Sequence, residues 1–205
     1  MLGGKLIATG SDSCVFKPNI PCKKGNKKSS KKVSKIIYHQ GSKDAINKEK
    51  KENKMISKIK NYKNWAIIFD EYCSAPDFNT IIKSEKDIMK CPWEGDTGDD
   101  FNKLNSQMLN GPSGGDPLNT YFEKQFNQPK IKTINRLNKE FLNLMNMMKP
   151  LFLGIKELSK NNIVHNDIKY QNIILQNDKF KFIDFGISGK TSDIKVFKNR
   201  SLQEL

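Results

Sequence analysis

The chain has 205 residues, of which 36% are hydrophobic and 28% charged, with 36 Lys and Arg against 22 Asp and Glu. These proportions exclude collagen-like and wholly disordered proteins and are typical of one or two globular domains. No stretch approaches the roughly 18 consecutive apolar residues of a membrane span, and the N-terminus lacks the apolar run of a secretory signal. We therefore expect an intracellular protein without a membrane span.

The positive charge is concentrated near the N-terminus. Residues 1–63 hold 17 basic and 4 acidic residues, whereas residues 64–205 hold 19 and 18. Such a surface is either a solvated lysine face or a binding site for an acidic partner. Of the basic residues 34 are Lys and only two are Arg, and base readout relies on the bidentate Arg side chain. We therefore expect no sequence-specific binding of nucleic acid.

The four cysteines are Cys14, Cys22, Cys73 and Cys91. None of them forms a C-x-x-C pair, and disulfides are rare in intracellular proteins because the cytosol is reducing. The sequence therefore predicts reduced, packed thiols, and neither a zinc site nor a disulfide framework.

The first part of the chain is predicted to be rich in β-structure. Residues 5–8 and 14–17 form an apolar hairpin, and residues 18–32, with two Pro and six Lys, form a basic loop. A strand over 33–38 is followed by a helix over 43–60 and a further strand over 65–69.

The second part is predicted to be mainly helical. A polar insertion over about 74–107 is followed by a Gly- and Pro-rich turn over 111–116, which is a candidate lobe boundary. Apolar residues spaced by three and four over 137–158 predict a long amphipathic helix, which Pro150 should kink or interrupt.

The strongest chemical signal lies after this helix. Residues 173–175 and 180–183 are short β-rich runs that predict an antiparallel hairpin. Asn172 enters the first strand and Asp184 leaves the second, so the two side chains should meet at one end, with Asp167 on the same loop. Two carboxylates and a carboxamide are hard oxygen ligands that suit Mg²⁺ together with substrate phosphates. The predicted chemistry is phosphoryl transfer.

The run H-N-D-I-K-Y-Q-N over 165–172 and the D-F-G over 184–186 resemble the catalytic loop and metal-binding motif of the protein kinase family. The resemblance implies that Asp167 orients the attacking hydroxyl or accepts its proton, and that Lys169 neutralises charge on the transferred phosphoryl group. It further implies that Asn172 and Asp184 hold Mg²⁺. In this reading His165 shapes the loop and is not a base.

The same resemblance implies an ATP site in the first part of the chain. The run A-T-G-S-D-S-C-V over 8–15 resembles the kinase glycine-rich loop but keeps only its middle glycine. The residues expected to surround the nucleotide there are Ile7, Gly10 and Val15. Lys35 occupies the place of the lysine that contacts the α- and β-phosphates. Its expected ion-pair partner is Glu52, with Glu49 in reserve.

Residues 108–116 resemble the segment that links the two kinase lobes. The resemblance implies that Leu109 lies behind the adenine ring and that the backbone of Asn110 to Pro112 bonds the adenine edge. Pro112 lacks an N–H and so removes one donor. Asp116 is placed to reach the ribose.

The fold implied by the resemblance is a bilobal α+β kinase fold. Its N-lobe would span residues 1–110, and a partial, mainly helical C-lobe would span residues 111–205. The expected cofactors are ATP and Mg²⁺. The degenerate glycine loop, the insertion and the H-N-D-I-K form are also similar to kinases of large DNA viruses, which would place the chain in a host cytoplasm or a virion.

The chain departs from the family pattern in two places. Asn166 replaces the usual arginine of the catalytic loop, so switching by a phosphorylated activation segment is not expected. Residues 187–205 contain no A-P-E-like motif, which indicates a fragment or a shortened kinase with impaired transfer to protein. The apolar face formed by Leu144, Met148, Leu151 and Ile155 should then be uncovered.

Three other functions compete with a serine/threonine-type protein kinase. One is a pseudokinase or protein-binding module that binds nucleotide without efficient transfer. Another is a small-molecule phosphotransferase, and the third is a basic nucleic-acid-binding protein. Lys169, two residues after Asp167, resembles the serine/threonine form of the loop and favours protein substrates.

Overall fold

A computed structural model of the chain describes residues 4–10, 13–25, 27–37, 42–91, 107–126 and 133–193. The chain forms two compact units. The first comprises residues 1–53 and 68–113, and the second comprises residues 54–67 and 114–205. Residues 54–67 thus belong to the second unit although they lie between two stretches of the first. The predicted mixture of a β-rich first part and a mainly helical second part is confirmed.

The first unit is built on one antiparallel sheet of five strands in the order β1-β2-β3-β5-β4. The strands are β1 (Lys5–Thr9), β2 (Ser13–Lys17), β3 (Lys32–Ile37), β4 (Glu71–Ser74) and β5 (Gln107–Pro112). The predicted hairpin and the third strand are therefore confirmed. The predicted strand over 65–69 is wrong. The fourth strand begins at Glu71, and Ala66 instead forms an isolated bridge to Phe182 in the second unit.

One face of this sheet packs against helix α1 (Ser42–Ser57), which confirms the predicted helix. Ile37 of β3 and Leu109 of β5 form an apolar cluster with Ile46 of α1. All three are almost fully buried. The helix therefore contributes to the unit through burial of this apolar contact.

The opposite face is covered by the segment that the sequence predicts to be a polar insertion. Its described part contains α2 (Phe78–Ser84) and a 3₁₀ helix (Lys86–Lys90). Their apolar residues Ile81 and Ile88 are fully buried in a cluster with Phe16 of β2 and other sheet residues. This part of the insertion is therefore a layer of the core.

The cysteine prediction is wrong, because all four cysteines form disulfides. Cys14 pairs with Cys91 and Cys22 pairs with Cys73, with Cα atoms 6.1 and 5.8 Å apart. The pairs are separated by 77 and 51 residues along the chain. Sheet pairing and the insertion bring these distant residues together, so local spacing carries no signal of them.

The second unit contains α3 (Leu118–Phe126), α4 (Ile134–Lys160) and two small pairs of strands. Strand β6 (Ile163–Val164) pairs with β9 (Gly189–Lys190), and β7 (Ile173–Gln176) pairs with β8 (Lys179–Phe182). The β7–β8 hairpin agrees with the predicted one. Asn177 and Asp178 at its tip have φ values of 51° and 55°, the left-handed conformation that a two-residue hairpin turn requires.

Helix α4 continues through Pro150, so the helix is not interrupted there. A proline cannot donate to the carbonyl four residues earlier, here that of Asn146. That carbonyl instead accepts a hydrogen bond from Lys179 Nζ at 3.0 Å. The lysine of the neighbouring hairpin thus satisfies the group that the proline leaves unpaired.

The buried side of α4 packs against the hairpin and Trp65. Gly154 allows this approach, because a Cβ there would lie 2.9 Å from the Trp65 ring and 3.2 Å from that of Phe182. Leu151 also lies on this side and is almost fully buried, so its predicted exposure is wrong. Ile155, one turn further along the helix, is exposed as expected.

No helix in the described parts of the chain is both long and apolar enough to cross a membrane.

Candidate functional site

The catalytic-loop motif forms a hydrogen-bonded turn between β6 and β7. Asn172 ends a short 3₁₀ helix and donates from Nδ2 to Asp167, at 2.7 Å to Oδ2 and 3.0 Å to the backbone carbonyl. Lys169 Nζ lies 2.9 Å from the same Oδ2. The Asp167 side chain is thus oriented by an amide and an ammonium group, and it stays about a quarter exposed, at 28%.

The end of the β7–β8 hairpin brings the D-F-G motif to this loop. Ile183 N donates to Asn172 O at 3.0 Å, so Asp184 follows directly on a residue bonded to Asn172. Asp184 has φ 60°, a left-handed conformation that is uncommon outside glycine. The register therefore places Asn172 and Asp184 at the same end of the hairpin, as the sequence predicts.

The oxygen atoms of Asn172 and Asp184 fit a magnesium ion whose remaining ligands are phosphate oxygens. Asn172 Nδ2 donates to Asp167, so a metal ion here would be bound through Asn172 Oδ1. In the described residues no group of three His, Cys, Asp or Glu side chains is placed to hold a metal by itself. A hard cation here would combine the Asn172 and Asp184 oxygens with substrate oxygens, which is the usual mode of Mg²⁺.

His165 is a buried, neutral residue of this loop. Its Nε2 donates to Ile183 O at 3.1 Å, and its ring centroid lies 4.5 Å from that of Phe185. Burial lowers the pKa of His165, with smaller opposing effects from its hydrogen bond to Ile183 and from Asp184. A neutral ring locked between the loop and the hairpin agrees with the structural role expected of it.

The residues after the D-F-G motif are joined to the catalytic loop by several hydrogen bonds. Ser188 Oγ donates to His165 O at 3.1 Å, and Asn166 Nδ2 lies 3.5 Å from Ile187 O. The pairing of β6 with β9 joins the same two segments, and Thr191 N donates to Asn162 O at 2.9 Å. Ser188 is not among the residues predicted from the sequence, although it lies only two residues after the D-F-G glycine.

In the first unit, three of the predicted nucleotide-site residues form one row across the sheet. Val15 of β2 is opposite Lys35 of β3, which is opposite Leu109 of β5. Directly opposed residues of antiparallel strands share a face. The pairing thus places an apolar residue on each side of Lys35.

Lys35 forms an ion pair with Glu49, the second of the two partners predicted from the sequence. Its Nζ lies 2.9 Å from Glu49 Oε2, and only 14% and 6% of the two side chains are exposed. Glu52, the partner expected from sequence, lies three residues further along α1 and is also buried. Both carboxylates thus face inward from α1, and the ion pair described is that of Glu49.

The predicted adenine segment is part of the sheet. Asn110 and Pro112 lie in β5, opposite Ser34 and Lys32 of β3, and the carbonyl of Asn110 accepts from Asp70 N at 3.3 Å. The buried Asn110 side chain accepts a hydrogen bond from Ser34 Oγ. The backbone of Asn110 therefore already has a partner within the sheet.

The remaining predicted residues are at the surface or in turns. Ile7 lies at an irregularity in the β1–β2 pairing and is half exposed, and Gly10 N closes the hairpin turn on Ser13 O at 2.8 Å. Ser11 and Asp12 of the hairpin tip lie outside the described residues. The Asp116 carboxylate forms an ion pair with Lys124, and both side chains are largely exposed.

The basic loop is partly neutralised within the first unit. Three of its lysines form ion pairs with carboxylates of other elements, namely Lys23 with Asp77, Lys28 with Glu85, and Lys32 with Glu71. Glu85 is fully buried and also accepts from Gly4 N. These contacts indicate that part of the lysine excess stabilises the fold.

Comparisons with known proteins agree with the motifs. Residues 115–201 match the family model of the protein kinase domain. A stretch of 52 residues is 40% identical to a putative serine/threonine-protein kinase of Acanthamoeba polyphaga mimivirus. That stretch is 25% of this chain and only 10% of the relative. The resemblance to protein kinases, and to a kinase of a large DNA virus, is confirmed.

Proposed function

We propose that this chain, whose residues 115–201 match the protein kinase domain, transfers phosphate from ATP to Ser or Thr hydroxyls of proteins. The observation that carries the proposal is the geometry of the catalytic loop. Asp167 is held by Asn172 at 2.7 Å and by Lys169 at 2.9 Å, beside the hairpin end that carries Asp184.

Asp167 is the residue proposed to act on the acceptor hydroxyl. It orients the hydroxyl and takes up its proton as the oxygen attacks the γ-phosphorus. Lys169 Nζ lies 2.9 Å from Asp167 Oδ2, and its ammonium is proposed to balance charge on the transferred group. His165 has no part in proton transfer, because its ring is buried and bonded to the hairpin.

Asn172 and Asp184 are proposed to hold Mg²⁺ when nucleotide is bound. The ion would neutralise charge on the phosphate oxygens. The first unit is proposed to contribute Val15 and Leu109 as apolar contacts for the adenine ring and Lys35 as the phosphate contact. Their common row on the sheet supports this assignment. The match to the family model begins at residue 115, so these three roles rest on sheet geometry and motif resemblance.

Binding and transfer are tested separately on the full chain. Thermal unfolding should shift upward with ATP and Mg²⁺, and much less with ATP and a chelator. Transfer of radiolabelled γ-phosphate to casein and to a basic protein should yield phosphoserine or phosphothreonine. Asp167→Ala should lower this rate by about 10²–10⁴-fold while keeping the thermal shift.

The matched control is Asp77→Ala, which removes an exposed aspartate of the first unit and should leave transfer unchanged. A magnesium-dependent shift without transfer to any protein would contradict the kinase proposal and indicate a nucleotide-binding module. Transfer to an aminoglycoside or choline, and not to protein, would indicate a small-molecule phosphotransferase. Equal shifts with and without chelator would contradict the metal role of Asn172 and Asp184.

A further inference from the structure

The two disulfides of the first unit differ in their access to solvent. Cys14 is fully buried and Cys91 is 5% exposed, and both belong to the apolar cluster under the insertion. Cys22 and Cys73 are only partly buried and pack at the edge of that cluster. A reductant in solution can therefore approach the Cys22–Cys73 bond without opening the core, whereas the Cys14–Cys91 bond is shielded.

The Cys22–Cys73 bond also joins two elements of different kinds. Cys22 belongs to the basic loop, and Cys73 belongs to β4, which ends the order of strands in the sheet. Next to the bond, Lys23 N donates to Ser74 O at 3.0 Å, and Lys23 Nζ lies 3.0 Å from Asp77. The ion pair is exposed on both sides and therefore contributes little.

Strand β4 is held in the sheet by its pairing with β5 and does not depend on the Cys22–Cys73 bond. Strand β4 pairs with β5 at four positions, from Glu71 opposite Asn110 to Ser74 opposite Gln107. The Asn110 amide lies 3.5 Å from Cys22 Sγ and 4.0 Å from Cys73 Sγ, but Asn110 also bonds Ser34. Cleavage of the disulfide would thus release the loop from β4 around Cys22 and Lys23, while buried Ile20 and the Lys28–Glu85 ion pair still hold the rest of the loop and the strands stay paired.

We propose that Cys22–Cys73 is a reversible redox site that fastens the basic loop to β4. The reductant is a soluble dithiol, which gives two electrons and two protons. The S–S bond between Cys22 and Cys73 breaks, each sulfur gains a hydrogen, and the dithiol closes to its own disulfide. The reduced loop separates from β4 near Lys23, while Cys14–Cys91 and the five-stranded sheet persist. The inference is independent of the proposed kinase activity.

The chemical test is differential alkylation of the folded full chain. The air-oxidised protein is incubated with increasing dithiothreitol, trapped with iodoacetamide and analysed by peptide mass spectrometry. Cys22 and Cys73 should be labelled at a dithiol concentration at least tenfold below the one that exposes Cys14 and Cys91. Removal of the dithiol in air should restore the bond. Simultaneous labelling of all four cysteines, prior labelling of Cys14 and Cys91, or four free thiols in the oxidised protein would overturn the proposal.

The structural test is trypsin cleavage after Lys23 and Lys24. Mild reduction should accelerate this cleavage at least tenfold, while far-ultraviolet circular dichroism keeps the signal of the folded protein. The double variant Cys22→Ser with Cys73→Ser should be cut at the fast rate without reductant, and reductant should add nothing further. If that variant fails to fold, the reduced wild-type protein supplies the same comparison. Unchanged cleavage in the reduced folded protein would show that the disulfide does not fasten the loop.

Discussion

The ion pair of Lys35 and Glu49 is nearly buried, so the loss of either residue should lower the free energy of unfolding. Only 14% and 6% of the two side chains are exposed. Removing one partner of a buried pair leaves an uncompensated charge, whereas replacing both by apolar groups is often neutral.

We therefore expect Lys35→Met to lower the free energy of unfolding by about 3 kcal/mol. The double variant Lys35→Met with Glu49→Leu should recover most of that loss, although neither variant should transfer phosphate. Urea denaturation of the two single variants and the double variant measures the coupling. Additive effects would show that the pair does not interact in the folded protein.

His165 makes stability depend on pH in a direction that the structure fixes. Burial lowers its pKa below the ordinary value of 6.5, so the unfolded chain binds a proton more readily than the folded chain. The contribution of the neutral ring is complete above pH 6.5. It is lost as the pH falls from 6.5 towards the lowered pKa.

The folded protein should thus lose stability below pH 6.5, by at most about 1.4 kcal/mol per pH unit from this residue. His165→Phe keeps an aromatic ring beside Phe182 and Phe185 but cannot titrate. Its free energy of unfolding should be lower overall and should vary less between pH 5 and 6.5. Chemical denaturation at several pH values measures this, and an unchanged slope would assign the dependence to other groups.

Among the elements, the insertion differs most from its prediction, because the sequence predicts a polar segment and the structure places part of it in the core. Its α2 and 3₁₀ helix cover a sheet face that would otherwise expose Phe16, Ile36 and Met108. The 3₁₀ helix offers a matched pair of neighbours, since Ile88 is fully buried and Met89 is 58% exposed.

Ile88→Ala should cost about 2–5 kcal/mol, because it removes buried methyl groups and leaves a cavity. Met89→Ala should change stability by less than about 0.5 kcal/mol, as expected for an exposed side chain. Thermal or urea unfolding compares them directly. Equal, small effects would mean that the insertion is not part of the core.

For the molecule as a whole, the notable feature of α4 is an extended apolar stripe of exposed side chains. Its members follow spacings of three, four and seven residues and are 41 to 76% exposed: Ile134, Leu137, Phe141, Met145, Phe152 and Ile155. Apolar patches of this kind promote association or the binding of hydrophobic dyes.

We expect Phe141→Gln with Phe152→Gln to reduce binding of the dye ANS by at least half and to delay aggregation on concentration. Unfolding should change little, because both side chains are more than half exposed. Asn138→Gln on the same helix is the polar control. Dye fluorescence and light scattering provide the measurements, and unchanged values in the double variant would contradict a role for this stripe.

The features that depend on local pattern can be predicted from the amino-acid sequence. The β1–β2 hairpin, α1, α4 and the β7–β8 hairpin follow from periodicity and turn residues, because neighbours along the chain decide them. The placement of Asn172 and Asp184 at the same end of the β7–β8 hairpin also follows, since a tight hairpin brings its own two ends together.

The features that depend on residues far apart in the chain could not be predicted in this way. The two disulfides join residues 77 and 51 positions apart, and the pairing of Lys35 with Glu49 depends on how α1 docks on the sheet. The unbroken helix at Pro150 needs Lys179 from another element. In each case the partner is chosen by packing between elements, which local propensity does not encode.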